Sequence, residues 1–562
     1  MRGTLVCIII FACAITTGCG GEDQPTPGGG PIVGVPPPPP SPPPIATATD
    51  ADRAAAPRRV DVQPTNASQA IIRWTDVSTD ETGFLIERQL NGAGTWQAAA
   101  NVSANQTIYT QTGLTGGANY AYRVSAVRSA GVPVPSAVIA VTMPLEGVPS
   151  IFFVDDSKGS DSNDGSEARP WKTIQRANDT IQAGQTVLVR AGEYRRTDYS
   201  VIVEITKSGR PDANITYKAY PGERAKLRST VGLNYNGFEV LANYIIIDGF
   251  EIQGHLNELT LERAQSEQVA RQNGGPVTPV VVSSGITFGN LEGSAVTAHH
   301  GVARNNLVYD HPQAGINALG ADYIIFENNR VLNNSSLSYF GGSGINFFQL
   351  RNLDNESSEY RNVIRNNIST GNSNLIPCLC FDFRQPTDGN GIIIDDFAAT
   401  GYNGKTLVAN NIVYNNGGRG IHVFQSANVD IFNNTTYRNS TVEVTGQGEI
   451  TAQDAANVRV FNNILFASDG RPANRAEQVT SVIFDYNIVF GGTGFNPSGG
   501  TRNLIATNPF FAATTGANAF ALARSSPAID AAIGGGPAQS FDAFFAPRPR
   551  GAGADIGAVE SF

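Results

Sequence analysis

Residues 391–440 read GIIIDDFAATGYNGKTLVANNIVYNNGGRGIHVFQSANVDIFNNTTYRNS. Two units, Gly391-Ile392-Ile393 and Gly420-Ile421-His422, stand 29 residues apart, and an Asn-Asn pair follows each, at Asn410-Asn411 and Asn433-Asn434. The Gly-Ile-x unit also occurs at Gly285-Ile286-Thr287, Gly315-Ile316-Asn317 and Gly344-Ile345-Asn346, and Ile450-Thr451 continues it without the glycine. The isoleucines advance by 30, 29, 47, 29 and 29 residues. Further Asn-Asn pairs lie at 305–306, 328–329, 366–367 and 462–463. A fixed period of this length marks a solenoid. Strands of β-branched residues stacked at that period bury their inward side chains in one column. An Asn at a repeated turn accepts left-handed geometry and can bond the Asn one coil away, so these pairs read as scaffold.

Composition agrees. The chain has 562 residues, enough for roughly three to four domains. Apolar residues make up 41% and charged residues only 16%, against about 25% in ordinary soluble domains. With 60 glycines, this favours β structure with many tight turns over coiled coil or disorder. The formal charge of −10 argues against a nucleic-acid partner.

The N-terminus reads as an export signal. Arg2 precedes an apolar run from Leu5 to Ile15, too short to span a bilayer. Thr16, Thr17 and Gly18 then lead to Cys19, which resembles a bacterial lipobox with Thr at its usual aliphatic position. The resemblance implies a signal peptide over residues 1–18, lipidation at Cys19, and an exported lipoprotein of the outer membrane, cell surface or periplasm. Loss of the signal removes Arg2 and leaves a net charge of −10 − 1 = −11. Residues 19–55, with Gly28-Gly29-Gly30 and the run Pro36 to Pro44, form an extended linker. Only Cys378 and Cys380 remain beyond Cys19, and they are expected to be two thiols, since a Cys-x-Cys bridge is strained.

Residues 56–145 alternate as short strands, as in Ala70-Ile71-Ile72-Arg73-Trp74 and Tyr120 to Val127. The segment resembles a fibronectin type III domain, with Trp74 as core tryptophan and Leu114…Tyr120 as its tyrosine corner.

Residues 148–562 are the main body. Phe152-Phe153-Val154-Asp155, Trp171 to Ala177, Gly184 to Val189 and Tyr244 to Phe250 resemble the opening coils of the pectate-lyase-like superfamily of polysaccharide lyases. The fold class expected is therefore all-β, a right-handed parallel β-helix behind a β-sandwich, in a monomer. Two insertions break the period: residues 255–275, of helix-forming composition, and residues 350–388, which lengthen one coil by 47 − 29 = 18 residues. Such loops collect on one face of a solenoid and wall a groove. Ser526 to Asp530 and Gly553 to Ala558 resemble a closing segment and are expected to cap the last coil.

Alternation along a strand turns the residue after each repeat isoleucine outward. The early coils present Asn317 and Asn346 there, candidates for substrate binding with Phe424. The later coils present Asn390, Asp395, Arg419 and His422, with Asp388 and Asp396 flanking and Lys405 following. Acid, base and imidazole together suit β-elimination on a uronate polymer: the carboxylate must be neutralised and a base must take the α-proton. The resemblance implies Ca²⁺ ligands and a Brønsted base on adjacent coils. On that basis Asp388, Asn390, Asp395 and Asp396 are the Ca²⁺ ligands and Lys405 the base. Arg419 binds the carboxylate or is itself the base, and His422 donates a proton or contacts the sugar. The expected partner is an acidic polysaccharide. Two alternatives stay open. One is a glycoside hydrolase using Asp388, Asp395 and Asp396 beside His422. The other is a non-catalytic glycan-binding or adhesion protein.

Overall fold

The computed structural model describes residue 52 and residues 55–561, except 91, 93, 131, 145–150, 381–384, 443–446, 517–518 and 535–539. The signal segment and Cys19 lie outside the described residues. Among those described, no helix is long and apolar enough to cross a membrane.

Seven strands from Arg58–Asn66 to Ile139–Thr142 form two antiparallel sheets of three and four strands. Trp74 packs 5.3 Å from Phe84 in their shared core, and the Tyr120 hydroxyl accepts the Thr115 N–H at 3.1 Å, as the corner motif requires.

The main body winds through three parallel sheets, of nine, eleven and eleven described strands. The first sheet runs from Val203–Ile205 to Asn474–Glu477 and carries every Gly-Ile-x unit. The second runs from Ile151–Val154 to Thr480–Asp485, and the third from Gly192–Tyr194 to Leu504–Ile505. Ile286, Ile316, Ile345, Ile392, Ile421 and Ile450 pair in direct register and are fully buried, so the inward column is as the repeat demands. The glycine before each isoleucine has a steric cause. A Cβ at Gly391 would lie 2.2 Å from Val413 Cγ1, and one at Gly315 would lie 2.3 Å from Val331 Cγ1. The first sheet meets the third too closely there for any side chain.

The Asn-Asn pairs divide the labour. The first Asn of each pair turns the corner in the left-handed region, with φ between 54° and 60°. The second is buried and bonds along the axis. From Asn306 through Asn329, Asn367, Asn411, Asn434, Asn463 and Asn487 to Asn503, each Nδ2 donates to the next Oδ1 at 2.9–3.0 Å. A second ladder stands five residues further along each coil. Asn334, Asn372, Asn416 and Asn439 are linked in the same way at 2.8–3.0 Å. It ends on the buried Glu449, which accepts the Asn439 N–H at 2.9 Å and its Nδ2 at 2.6 Å.

Burial pushes the Glu449 carboxyl up to about 8. Folding therefore takes up a proton between the usual carboxylate range and about pH 8, and stability falls as pH rises through that window. Glu449→Gln removes this dependence. The melting temperature of the parent is expected to decline from pH 5 to about 8 more steeply than that of the variant, and calorimetry at both ends of the window tests the difference.

The 255–275 insertion forms the helix Leu261–Gln272, with Thr260 Oγ1 accepting the Arg263 N–H at 3.2 Å. Its Ala264 joins Val280, Val281, Leu337, Tyr339 and Ile376 in a small core beside the first sheet. Two expectations are corrected. Cys378 and Cys380 are joined as a disulfide, in a turn that sets their Cα atoms 5.3 Å apart. The closing segment lies along the outer face of the third sheet instead of capping the last coil: Phe511, Phe520, Leu522, Ile556 and Ala558 cover Ile412, Tyr437, Ile464 and Ile488. Those third-sheet residues are apolar on the outward face and need cover.

Candidate active site

The outer face of the first sheet presents two side-chain columns. The column after the repeat isoleucine runs Thr287, Asn317, Asn346, Ile393, His422, Thr451, Arg475. Two residues further along the strands the column is Leu319, Phe348, Asp395, Phe424, Gln453, Glu477.

In the early coils the first column is closed on itself. Asn346 Nδ2 donates to Asn317 Oδ1 at 2.5 Å, Asn317 Nδ2 to Thr287 Oγ1 at 3.4 Å, and Thr287 Oγ1 to Asn236 Oδ1 at 3.0 Å. Asn317 and Asn346 are buried and spend their amides on this chain, which braces the wall.

Asn390 organises the later coils. Fully buried, it donates Nδ2 to Ser343 Oγ at 3.0 Å and to Asp388 Oδ1 at 3.4 Å, and its Oδ1 accepts the Arg419 N–H at 3.0 Å. It thus holds Asp388 and Arg419 together. Asp388 Oδ2 accepts the Thr387 hydroxyl at 2.9 Å. It lies against Gly341, where a Cβ would come within 2.2 Å of it and where φ is +73°.

Asp388, Asp395, Arg419 and His422 lie near enough to shift one another. Burial raises Asp395 well above the usual carboxylate range, the charges of Asp388 and Asp396 raise it further, and Arg419 opposes them. Burial also raises Asp388, against a hydrogen bond from Thr387 and the charge of Arg419. The Arg419 guanidinium is pushed down to about 10, chiefly by burial and against the attraction of Asp388. His422, 3% exposed, is held neutral: burial lowers it well below the usual imidazole range and the Arg419 cation lowers it further. Its Nδ1 meets Thr451 Oγ1 at 2.7 Å, and its ring stacks on the half-buried Phe424 with centroids 5.8 Å apart. The cluster therefore sets a carboxyl biased towards its protonated form and an imidazole biased towards its neutral form beside a cation.

Three other expectations do not hold. Lys405 opens the strand Lys405–Ala409 of the second sheet, and its Nζ donates to the Ser358 carbonyl at 3.0 Å. The short helix Phe397–Thr400 turns the chain between Asp396 and Lys405, so nearness in sequence is separation by a corner. Asp396 leaves the sheet in the left-handed region at φ 54° and accepts Gln349 Nε2 at 2.8 Å. The four expected Ca²⁺ ligands thus do not converge, since Asn390 Oδ1 is committed to a backbone N–H and Asp396 faces Gln349. Among the described residues no group of three His, Cys, Asp or Glu is placed to hold a metal ion. The alternation turns Thr451 outward without giving it a role, and it does not reach Arg475 and Glu477. Arg475 and Glu477 form an exposed 3.2 Å ion pair in the strand Asn474–Glu477, which lacks the Gly-Ile-x signal.

Residues 152–457 match the family model described as Pel9A-like, right handed beta helix region, and residues 55–142 match that of the fibronectin type III domain. The crystal structure of pectate lyase Pel9A is similar at 17% identity, over 73% of this chain and 96% of that one, with a TM-score of 0.40. The FN1–FN3 domains of chicken CNTN1 match 16% of this chain and 32% of that one at 24% identity, TM-score 0.15. Among curated proteins, uncharacterized protein YwoF of Bacillus subtilis (strain 168) is 32% identical over 78 residues. The chain spans 15% of that relative's length.

Proposed function

Since the chain belongs to the Pel9A-like right-handed β-helix family, we propose that it is a polysaccharide lyase, exported and lipid-anchored through Cys19, that cleaves a uronate-containing glycan by β-elimination. The observation that carries the chemistry is the Asp388–Asp395–Arg419–His422 cluster on the outer face of the first sheet. The reaction needs three things of its residues. Arg419 pairs with the uronate carboxylate and makes the adjacent C–H acidic. His422, neutral and with Nδ1 engaged by Thr451, takes that proton on Nε2. The C–H electron pair becomes the C4–C5 double bond as the C4–O bond breaks. Asp395, kept protonated by burial, gives its proton to the leaving oxygen. Phe424 supports one sugar face beside His422. The charge that neutralises the substrate carboxylate is that of Arg419.

One observation favours a second reading. Asp388 raises the pKa of Asp395, which is the pairing a glycoside hydrolase uses for its acid and its base. A single assay separates the two. The mature chain is mixed with pectate, alginate, glucuronan or chondroitin, each with added Ca²⁺ and with chelator. The expected result is a rise in ultraviolet absorbance from an unsaturated uronate on one polymer, at the same rate in chelator. Reducing ends without that absorbance establish the hydrolase, and neither signal on any polymer rejects both.

A further inference from the structure

We propose that Lys405 belongs to a second, non-catalytic groove that binds an acidic, uronate-containing oligosaccharide on the second sheet. The observation is a cavity of about 410 Å³ on the outer face of four successive strands, within the size range of small-ligand sites. Two columns line it. At the corner, Lys405 is followed coil by coil by Asn428, Asn457 and Ser481. The last three have φ of 61°, 53° and 54°, the left-handed corner conformation. Along the strands, Asp430, Arg459 and Ile483 stand in direct register.

The charges decide the ligand. Asp430 is already neutralised: Arg459 Nε and Nη2 bind its two oxygens at 2.7 and 2.5 Å, and the Tyr360 hydroxyl donates to it at 2.5 Å. Lys405 remains as the net charge. Its bond to the Ser358 carbonyl uses one of three ammonium donors. A positive site in a chain of net charge −10 selects an anion locally. The other groups suit a sugar. Asn428, Asn457 and Ser481 offer donors and acceptors for hydroxyls, and Ile483, 39% exposed, gives apolar surface for the C–H face of a ring. Parallel strands place these groups about 4.8 Å apart, so a linear glycan lying along the axis meets the Lys405 charge first and then successive polar and apolar rungs. The groove lies on a different sheet from Arg419, so binding there is separate from turnover and is measurable whatever reaction the first sheet carries out.

The test is titration calorimetry on the full mature chain carrying Arg419→Ala, which silences the first-sheet cluster. The probes are short oligogalacturonate and oligoglucuronate, with a neutral cello-oligosaccharide as control. One acidic probe is expected to bind at a single site, more weakly at high salt. Adding Lys405→Glu is expected to lower its affinity about tenfold or more, the usual effect of losing a charge-assisted contact. Asn457→Gly, which keeps the left-handed corner without strain, lowers it less, and Lys405→Arg restores it. Circular dichroism checks that the exposed substitutions leave the fold unchanged. The proposal is overturned if neither acidic probe binds the Arg419→Ala chain, if Lys405→Glu leaves affinity unchanged, or if the neutral probe binds equally well.

Discussion

Arg419→Ala is expected to slow turnover by about a thousandfold while leaving thermal stability close to that of the parent. The two halves of this result rest on different atoms. The contact that ties Arg419 into the coil is its backbone N–H, accepted by Asn390 Oδ1 at 3.0 Å, and alanine keeps it. The guanidinium is what faces Asp388, Asp395 and His422 electrically. Without it the substrate carboxylate keeps its full charge, and removal of the neighbouring proton must build a dianion. Arg419→Lys is expected to recover part of the rate, because it keeps the charge and loses the bidentate geometry. A second signature follows from the sign of the coupling. Arg419 lowers the Asp395 pKa, so its removal raises it, and the alkaline limb of the residual rate moves to higher pH. That limb reports loss of the Asp395 proton. Initial rates of absorbance change across pH, with calorimetry alongside, check both. A loss under tenfold with the limb unmoved would remove Arg419 from the mechanism.

What the sequence disclosed and concealed follows from the range of the signal. The Gly-Ile-x spacing was legible because a Cβ is excluded in each of these coils, by Val308, Val331 and Val413 at Gly285, Gly315 and Gly391 and by Ser369 and Asn372 or Glu449 and Asn439 at Gly344 and Gly420. The first Asn ladder was legible because the corner Asn sits beside the bonded one and makes a visible doublet. The second ladder shows a doublet only in two coils, Asn333-Asn334 and Asn415-Asn416, while Asn372 and Asn439 stand alone, so its column makes no regular pattern although its members bond as tightly. Alternation placed Asn317 and Asn346 on the outward face correctly. It carried no information on what covers that face, and both are buried there. Asp388 and Arg419 were found together because the repeat aligns their coils. Lys405 was misplaced because nine positions beyond Asp396 are enough, in a solenoid with three sheets, to turn a corner.

Asn411→Leu is expected to cost about 3–5 kcal/mol of unfolding free energy, far more than its near-equal volume suggests. Asn411 is fully buried in the middle of the first ladder. Its Nδ2 donates to the Ile364 carbonyl and to Asn434 Oδ1, both at 2.9 Å, and its Oδ1 accepts the backbone N–H and Nδ2 of Asn367 at 2.9 and 3.0 Å. Leucine fills the space and leaves the Asn367 backbone N–H and the Ile364 carbonyl without these partners, where water cannot reach them, while the Asn367 amide keeps the Phe326 and Arg365 carbonyls. Each buried polar group so stranded costs about 1–3 kcal/mol. The neighbouring Asn410 gives the contrast. It sits at φ 55°, its Nδ2 donates to the Phe541 carbonyl at 2.8 Å, and its Oδ1 accepts Arg548 Nη1 at 3.1 Å. Asn410→Gly keeps the corner geometry, loses both bonds to the closing segment but none along the ladder, and is expected to cost about 2 kcal/mol. Chemical denaturation at constant m-value measures both. Because each coil touches only its neighbours, hydrogen exchange of Asn411→Leu should quicken first in the coils around residues 367, 411 and 434 and last in the outermost coils. Equal costs for the two substitutions, or uniform acceleration along the chain, would mean that the ladder is a consequence of the stacked coils and not one of the interactions that hold them.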